Sequence, residues 1–190
     1  RIEVDAVAPN AVTNVDFITN NYQITGEAEP NSTIIILNAF GDQVARGVTS
    51  VVGHFFVNMN NPSQYQGQAL QIIAQDAGGN RSVAIEYVIP LIPNSPPAPT
   101  DLTLIEDGRY ITGVGQPNAP IYIRDENGQN IAENWSNYIR SDGTFHIELN
   151  GHYLKGQKIY ASIYDNQTGL YSSRAEIIAS IDDIPPVLHS

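Results

Sequence analysis

Acidic side chains at the expected domain edges are the residues best suited to bind a metal ion. Asp101 follows a proline-rich segment, and Asp182 and Asp183 precede another Pro-Pro pair. Calcium takes about six to eight oxygen ligands, several of them carboxylates, but no Asp-rich loop of calcium-binding spacing is present. If calcium binds at the domain junctions, these three residues are the candidate ligands. The alternative is that they are solvated acids and turn caps. No other cofactor is predicted.

Aromatic side chains are the second group able to do chemistry, and their distribution is uneven. Seven of the ten tyrosines lie after residue 100, and the only tryptophan, Trp135, lies close to Tyr138 in the segment 130–140. Amphipathic rings suit binding surfaces, so both are candidate ligand-binding residues for a glycan or a protein. The favoured alternative is that the tyrosines occupy core or half-buried strand positions and that Trp135 fills a core.

The sequence lacks the usual patterns of a catalytic site. None of the four histidines has a second His or a Cys at zinc-ligand spacing, and no Gly-x-Ser-x-Gly motif occurs. The carboxylates Glu27 and Glu29 are expected to decorate a turn or a strand edge. Asp76 and Asp165, each in a late turn, are expected to accept backbone N–H bonds within that turn. The sequence predicts a protein that is not an enzyme.

Charge and composition limit the partners. The net charge is −11; up to Pro96 eight acids face three bases, and after it twelve face six. Such surfaces repel nucleic acids and anionic membranes. No apolar run approaches the about 20 residues that span a bilayer, and the absence of cysteine excludes disulfides. We therefore expect neither nucleic acid binding nor membrane insertion.

An internal repeat organises the chain. Residues 24–26, Ile-Thr-Gly, recur at 111–113 with an offset of 87 residues, and the Pro-Asn pair that follows keeps this offset. Gly53 and its surroundings recur at Gly143 with an offset of 90 residues. A drift of this size is what a small loop insertion in the second copy produces, and the segment 130–140 is the expected insertion.

Each copy contains short segments in which apolar and polar residues alternate between Gly, Asn or Pro. Such alternation is typical of strands with one buried face, and turn signals about every 8–12 residues are typical of a β-sandwich. Gly41 and Gly128 lie in predicted hairpin turns that need a positive φ. The predicted strands are 22–26, 33–38, 53–59, 69–75 and 83–89, then 110–114, 120–124, 143–149, 158–164 and 174–180.

The segment 93–99 contains four prolines in seven residues and is the predicted linker. Proline fixes φ, so the linker should be stiff and extended. The predicted fold class is all-β, with two tandem immunoglobulin-like β-sandwich domains, 1–94 and 95–190, joined by this short Pro-rich linker. Residues 183–190 are expected to lead into a next repeat. The simplest interpretation is a piece of a longer protein whose partners include neighbouring repeats of the same chain.

The motifs at 24–32 (ITGEAEPNS) and 74–82 (AQDAGGNRS) resemble the opening and the close of the bacterial Ig-like repeats of giant surface adhesins. The resemblance covers both copies, although the second has Gly-Gln-Pro at 115–117 and lacks the Gly-Asn turn. It implies structural stalk or spacer repeats of a large bacterial cell-surface adhesin, extracellular and involved in adhesion or biofilm formation. It also implies calcium at the junctions marked by Asp101, Asp182 and Asp183.

Two other functions stay open. The second copy could bind a host-surface, glycan or biofilm-matrix partner directly through Trp135 and Tyr138. Alternatively, the pair of copies could be an accessory module beside a secreted hydrolase, which many further copies in the flanking sequence would exclude.

Overall fold

A computed structural model of the chain describes residues 6–153 and 155–180. The chain divides into two compact units, Arg1–Ile92 and Pro93–Ser190. The described residues form fourteen strands and one short 3-10 helix, Pro62–Tyr65, so the all-β prediction is confirmed. None of their helical residues forms a segment long and apolar enough to cross a membrane.

The first domain is a two-layer arrangement of antiparallel strands. The strands are β1 (Thr13–Ile18), β2 (Gln23–Glu27), β3 (Thr33–Leu37), β4 (Gln43–Val48), β5 (His54–Asn58), β6 (Ala69–Gln75) and β7 (Ile85–Val88). One sheet has the order β1-β2-β5, and the other has the order β4-β3-β6-β7.

The second domain repeats this order with two changes. Its strands are β8 (Thr100–Ile105), β9 (Tyr110–Val114), β10 (Ile121–Asp125), β11 (Thr144–Glu148), β12 (Lys158–Asp165), β13 (Leu170–Tyr171) and β14 (Ala175–Ile178). One sheet is β11-β9-β8; in the other, β12 pairs with β10, β13 and β14. The short strand β13 is added, and β4 has no regular counterpart.

The repeated apolar residues of the two copies form the core of each domain. Inward-facing side chains from both sheets are buried at matching positions of the two domains, and burying each large apolar side chain contributes roughly 1.5–3 kcal/mol. The matched pairs are Ile24 and Ile111, Ile34 and Ile121, Ile36 and Ile123, Phe55 and Phe145, Leu70 and Ile159, and Ala74 and Ile163. Each domain is therefore a sandwich with its own apolar interior.

The glycine of the repeated Ile-Thr-Gly motif makes room for a phenylalanine. Gly26 pairs with Phe55 across β2 and β5, and Gly113 pairs with Phe145 across β9 and β11. A Cβ atom on Gly113 would lie 2.4 Å from Phe145 Cζ, and one on Gly26 would lie 2.5 Å from Phe55 Cζ. Because the ring covers the strand backbone, a side chain at this position would clash with it.

One buried pair of residues is polar in the first domain and apolar in the second. Ser32 and Thr49 are both buried; the Ser32 N–H donates to Thr49 Oγ1 at 2.8 Å, and Thr49 Oγ1 donates to the Glu29 carbonyl oxygen at 2.7 Å. Ala119 and Ile139 take their places in the second domain, with the same backbone bond between them at 2.9 Å. The fold accepts either pair, because the buried polar pair is hydrogen-bonded and the apolar pair has no side-chain polar group to satisfy.

Candidate functional site

The aspartates of the late turns accept hydrogen bonds inside those turns, as predicted. Asp76 accepts the Asn80 N–H and the Asn80 Nδ2, both at 2.9 Å. These bonds, the side-chain one first, lower the pKa of Asp76. Asp165 accepts the Gln167 N–H at 2.8 Å and the Thr168 hydroxyl at 3.1 Å. Both carboxylates therefore hold loop backbone in place.

The carboxylates Glu27 and Glu29 also bond to their immediate surroundings. Glu27 accepts a hydrogen bond from Asn14 Nδ2 at 2.9 Å and lies 3.6 Å from His54 Nδ1, and Glu29 accepts the Asn10 N–H at 3.1 Å. They border an open cavity of about 480 Å³ at the start of β1. Glu27 thus connects β1 with β2 and β5. Both carboxylates lie at a turn or strand edge, as the sequence predicted.

Asp101 has a backbone role that its sequence position does not reveal. It adopts a φ of 55° in β8, where the pairing with β9 shifts register between Thr100 and Thr103. Asn14 occupies the same bulge in β1 with a φ of 52°. Asp and Asn are the residues that best tolerate a positive φ besides glycine. The backbone conformation therefore favours Asp or Asn at this place whether or not the residue binds a cation.

The calcium prediction gains no cluster of ligands from the fold. Within residues 6–153 and 155–180, no group of three or more His, Cys, Asp or Glu side chains could hold a metal ion. Asp182 and Asp183 lie outside the described residues. A hard cation with many oxygen ligands does not fit the surroundings of Asp101 alone, so calcium at the junctions stays a prediction.

Trp135 does not fill the core, and the favoured interpretation of the sequence was wrong on this point. The Trp135 side chain is 83% exposed, and Tyr138 is 59% exposed. The other six tyrosines after residue 100 are half-buried on strands or loops, as expected. An indole this exposed is uncommon, because burying its large apolar surface is favourable. Trp135 is therefore the first candidate for contact with a ligand.

The loop that carries Trp135 takes the place of β4. Its two ends pair with β10: Ile131 N–H donates to the Ile123 carbonyl at 3.1 Å, and Ile121 N–H donates to the Asn137 carbonyl at 3.0 Å. Between these points the chain leaves the sheet and pairs Ala132 with Leu149. The three added residues of the second copy therefore fall within this excursion, and Trp135 lies between its two bonded ends.

The loop and the neighbouring sheet edge enclose a cleft, which we call the aromatic cleft. Its lining consists of residues 120–122 and 135–138, Tyr164 and Asn166, and its volume is about 160 Å³. Tyr171 packs behind it, with ring centroids 5.7 Å from Tyr122 and 4.8 Å from Tyr164. This burial raises the pKa of Tyr171. The cleft thus has a packed aromatic base and an exposed aromatic rim.

The model of the bacterial Ig domain matches the chain twice, over residues 8–90 and 95–180. The chain belongs to the bacterial Ig domain family. Each match contains one of the two sandwiches, so the predicted family and the Ig-like fold are both confirmed.

Solved structures that resemble this pair of bacterial Ig domains include several adhesin fragments. A biofilm-associated protein (BSP domain) is 17% identical with a TM-score of 0.40, and covers 94% of this chain and 30% of its own. A structure on host cell surface retention of a 1.5-MDa bacterial ice-binding adhesin is 12% identical with a TM-score of 0.32, covering 93% and 66%. A tetra-tandem repeat from the extending region of a large adhesion protein is 14% identical with a TM-score of 0.33, covering 91% and 50%. Comparison with curated proteins finds no match.

The two bacterial Ig domains differ at the aromatic cleft. Tyr122 and Tyr164 correspond to Ile35 and Gln75 in the first domain, by strand position and register. The Trp135 loop corresponds to β4, which pairs with β3 from Gln43 to Val48. The cleft therefore comes from the insertion and from two strand substitutions, on a core that the domains share.

Proposed function

We propose that this chain is a spacer section of a large bacterial cell-surface adhesin, in which each bacterial Ig domain adds length and has no catalytic role. The observation that carries the proposal is the tandem repetition of one complete domain, with a separate core in each copy. Repeat arrays behave as nearly one-dimensional stacks whose length rises with the number of units. Adhesion or biofilm formation at the extracellular surface is the role that suits such an array.

The surface charge supports a spacer. Both halves of the chain are acidic, with net charges of −5 and −6. Like-charged modules remain soluble and resist lateral association, as an extended array in solution requires. The Pro-rich segment 93–99 supports it too, because a proline linker transmits direction better than a Gly/Ser linker. The expected partners along the array are neighbouring repeats of the same chain.

Solution scattering on the chain and on a head-to-tail fusion of two chains tests the spacer role. A stiff array predicts that doubling the number of domains multiplies the maximum dimension by about 2, whereas a flexible tether predicts a factor of about 1.4. As a control, glycine replaces the prolines of the linker, Pro93, Pro96, Pro97 and Pro99, in every copy. We expect the controls to move towards the smaller factor; a parent array that already shows it would refute the proposal.

A second candidate function is direct binding by the second domain. It is favoured by one observation, the 83% exposure of Trp135 at the rim of a cleft. A spacer gains nothing from an exposed indole, so a ligand is the simplest reason for its presence. A host-surface, glycan or biofilm-matrix partner fits this candidate.

A further inference from the structure

We propose that the aromatic cleft of the second domain binds one ring of a neutral carbohydrate chain, with Trp135 and Tyr138 as the stacking platform. This inference rests on the second candidate function and names its ligand class. It is independent of the spacer role.

The exposed rings provide the main contact surface. Trp135 and Tyr138 lie on one short loop, and Tyr138 is held against the sheet by its bridge to Pro120. A sugar ring has a face of C–H groups that can lie flat on an aromatic face, so that both surfaces leave water together. An aromatic side chain loses few rotatable bonds on binding, which lowers the entropic cost of such a contact.

Polar groups around the cleft match hydroxyl groups. Asn137 and Asn166 are lining residues whose amides offer donors and an acceptor, and the lining tyrosines Tyr122 and Tyr164 carry phenolic hydroxyls, that of Tyr122 bonded to Tyr171. Asn137 Nδ2 donates to the Asn134 carbonyl oxygen at 2.6 Å, which orients its amide before any ligand arrives. Sugar hydroxyls both donate and accept, whereas a proline-rich peptide offers mainly carbonyl acceptors, so the amides favour the carbohydrate.

Charge decides between neutral and acidic sugars. None of the nine lining residues is charged, and the half of the chain that contains them has a net charge of −6. Arg124 lies next to the lining, with Cζ 5.9 Å from the Tyr122 ring centroid and a hydrogen bond to the Gly128 carbonyl oxygen at 3.5 Å. An anionic polysaccharide would therefore meet a net negative field, with no basic side chain in the lining itself. A neutral sugar avoids this repulsion, so the charge distribution favours a neutral ligand.

The size of the cleft limits how much of the ligand it encloses. Its volume of about 160 Å³ lies below the roughly 300–1,000 Å³ of sites that enclose a whole small molecule. One ring can enter while the rest of the chain runs over the exposed surface. We therefore expect longer oligosaccharides to bind better than the monosaccharide.

The fluorescence of the full chain tests the proposal directly, because Trp135 is its only tryptophan. Neutral hexasaccharides of glucose, galactose and mannose are titrated while the indole emission is recorded. At least one should shift the emission to shorter wavelength and protect the indole from acrylamide. An acidic galacturonate oligomer and a short proline-rich peptide should leave the emission unchanged.

Variants then assign the signal to the cleft, with calorimetry as the readout. Trp135→Ala should weaken binding of the responding hexasaccharide by at least about tenfold, and Trp135→Phe should weaken it less. Phe56→Ala, an aromatic that is 61% exposed in the first domain, is the matched control and should bind like the parent. Equal melting temperatures would show that all the variants are folded.

Three results would overturn the proposal: no neutral hexasaccharide changes the emission, the peptide or the acidic oligomer binds in its place, or Trp135→Ala binds like the parent. Scattering measures the spacer role and fluorescence measures the cleft, so the failure of one leaves the other standing.

Discussion

Replacing Gly113 by alanine tests the packing rule behind the repeated Ile-Thr-Gly motif. The added Cβ would lie 2.4 Å from Phe145 Cζ and 2.9 Å from the Thr100 carbonyl oxygen, both far inside van der Waals contact. Overpacking of this kind costs about 1–3 kcal/mol. The reduced entropy of the unfolded chain offsets about 0.4–1 kcal/mol of that cost. We expect a net loss of about 1–2 kcal/mol in the free energy of unfolding.

Calorimetry of the full chain measures this effect. For a domain of this size, a loss of about 1 kcal/mol lowers the melting temperature by roughly 4–8 °C, so the transition of the second domain should fall by about 5–15 °C. Gly151→Ala is the matched control, since nothing lies within 4 Å of its added Cβ. It should melt within a degree or two of the parent.

A double-mutant cycle isolates the cause. Phe145→Leu removes the outer atoms of the ring and destabilises the domain by leaving a cavity. With that space open, adding Gly113→Ala should cost less than in the parent, by about 1 kcal/mol or more. The reasoning is refuted if Gly113→Ala is as stable as the Gly151 control, or if the two changes add without coupling.

Three further predictions use contrasts within the chain. Thr49→Val should cost about 1–3 kcal/mol in urea denaturation, because the Ser32 N–H and the Glu29 carbonyl oxygen lose their bonds to Thr49 Oγ1. The pair Ser32→Ala with Thr49→Ile, which the second domain uses, should recover most of the loss; equal losses would contradict this. The lowered pKa of Asp76 means that its contribution to stability is present above the ordinary aspartate value of about 3.9 and is lost as the pH falls through the lower folded value. Asp76→Asn should therefore flatten the fall in melting temperature over that acid range, and an unchanged pH profile would count against the turn bonds. Asp101→Asn should melt like the parent in calcium and in EDTA, because Asn also tolerates the positive φ; a calcium-dependent rise that this variant abolishes would make Asp101 a ligand.

The sequence predicted the elements whose burial alternates. Of the ten predicted strands, 69–75 and 110–114 have the observed bounds, and the others differ from them by one or two residues at their ends. These strands supply the inward side chains of both cores, so period-two burial left a clear pattern in the sequence. The positive φ angles of 87° at Gly41 and 75° at Gly128 confirm both predicted hairpin turns.

The strands that the sequence did not predict have interrupted patterns. In β1 and β8 a bulge at Asn14 and Asp101 shifts the side chains of one part of the strand to the other face, which breaks the alternation. The edge strand β4 has no fully buried residue, so hydrophobic periodicity could not find it. It pairs with β3 through backbone hydrogen bonds, which leave no pattern of side chains in the sequence.

Half of the candidate site could be predicted from the sequence. The position of Trp135 in an insertion was visible in the offset between the copies, but its exposure was not, because a large aromatic residue suits a core as well as a surface. Tyr164 and Tyr122 join it only through the pairing of β10 with β12, which brings together residues more than 40 positions apart. Long-range register of this kind leaves no local trace in a single sequence.

The replacement of β4 by a loop has a consequence for how such proteins diversify. Both ends of the excursion are fixed by backbone bonds to β10, and the buried positions on either side match those of the uninterrupted domain. New tips could therefore be exchanged at this site while the fold stays the same. In a long chain of these modules, most copies would determine the length and a few would determine the binding specificity. Length and recognition can then change independently.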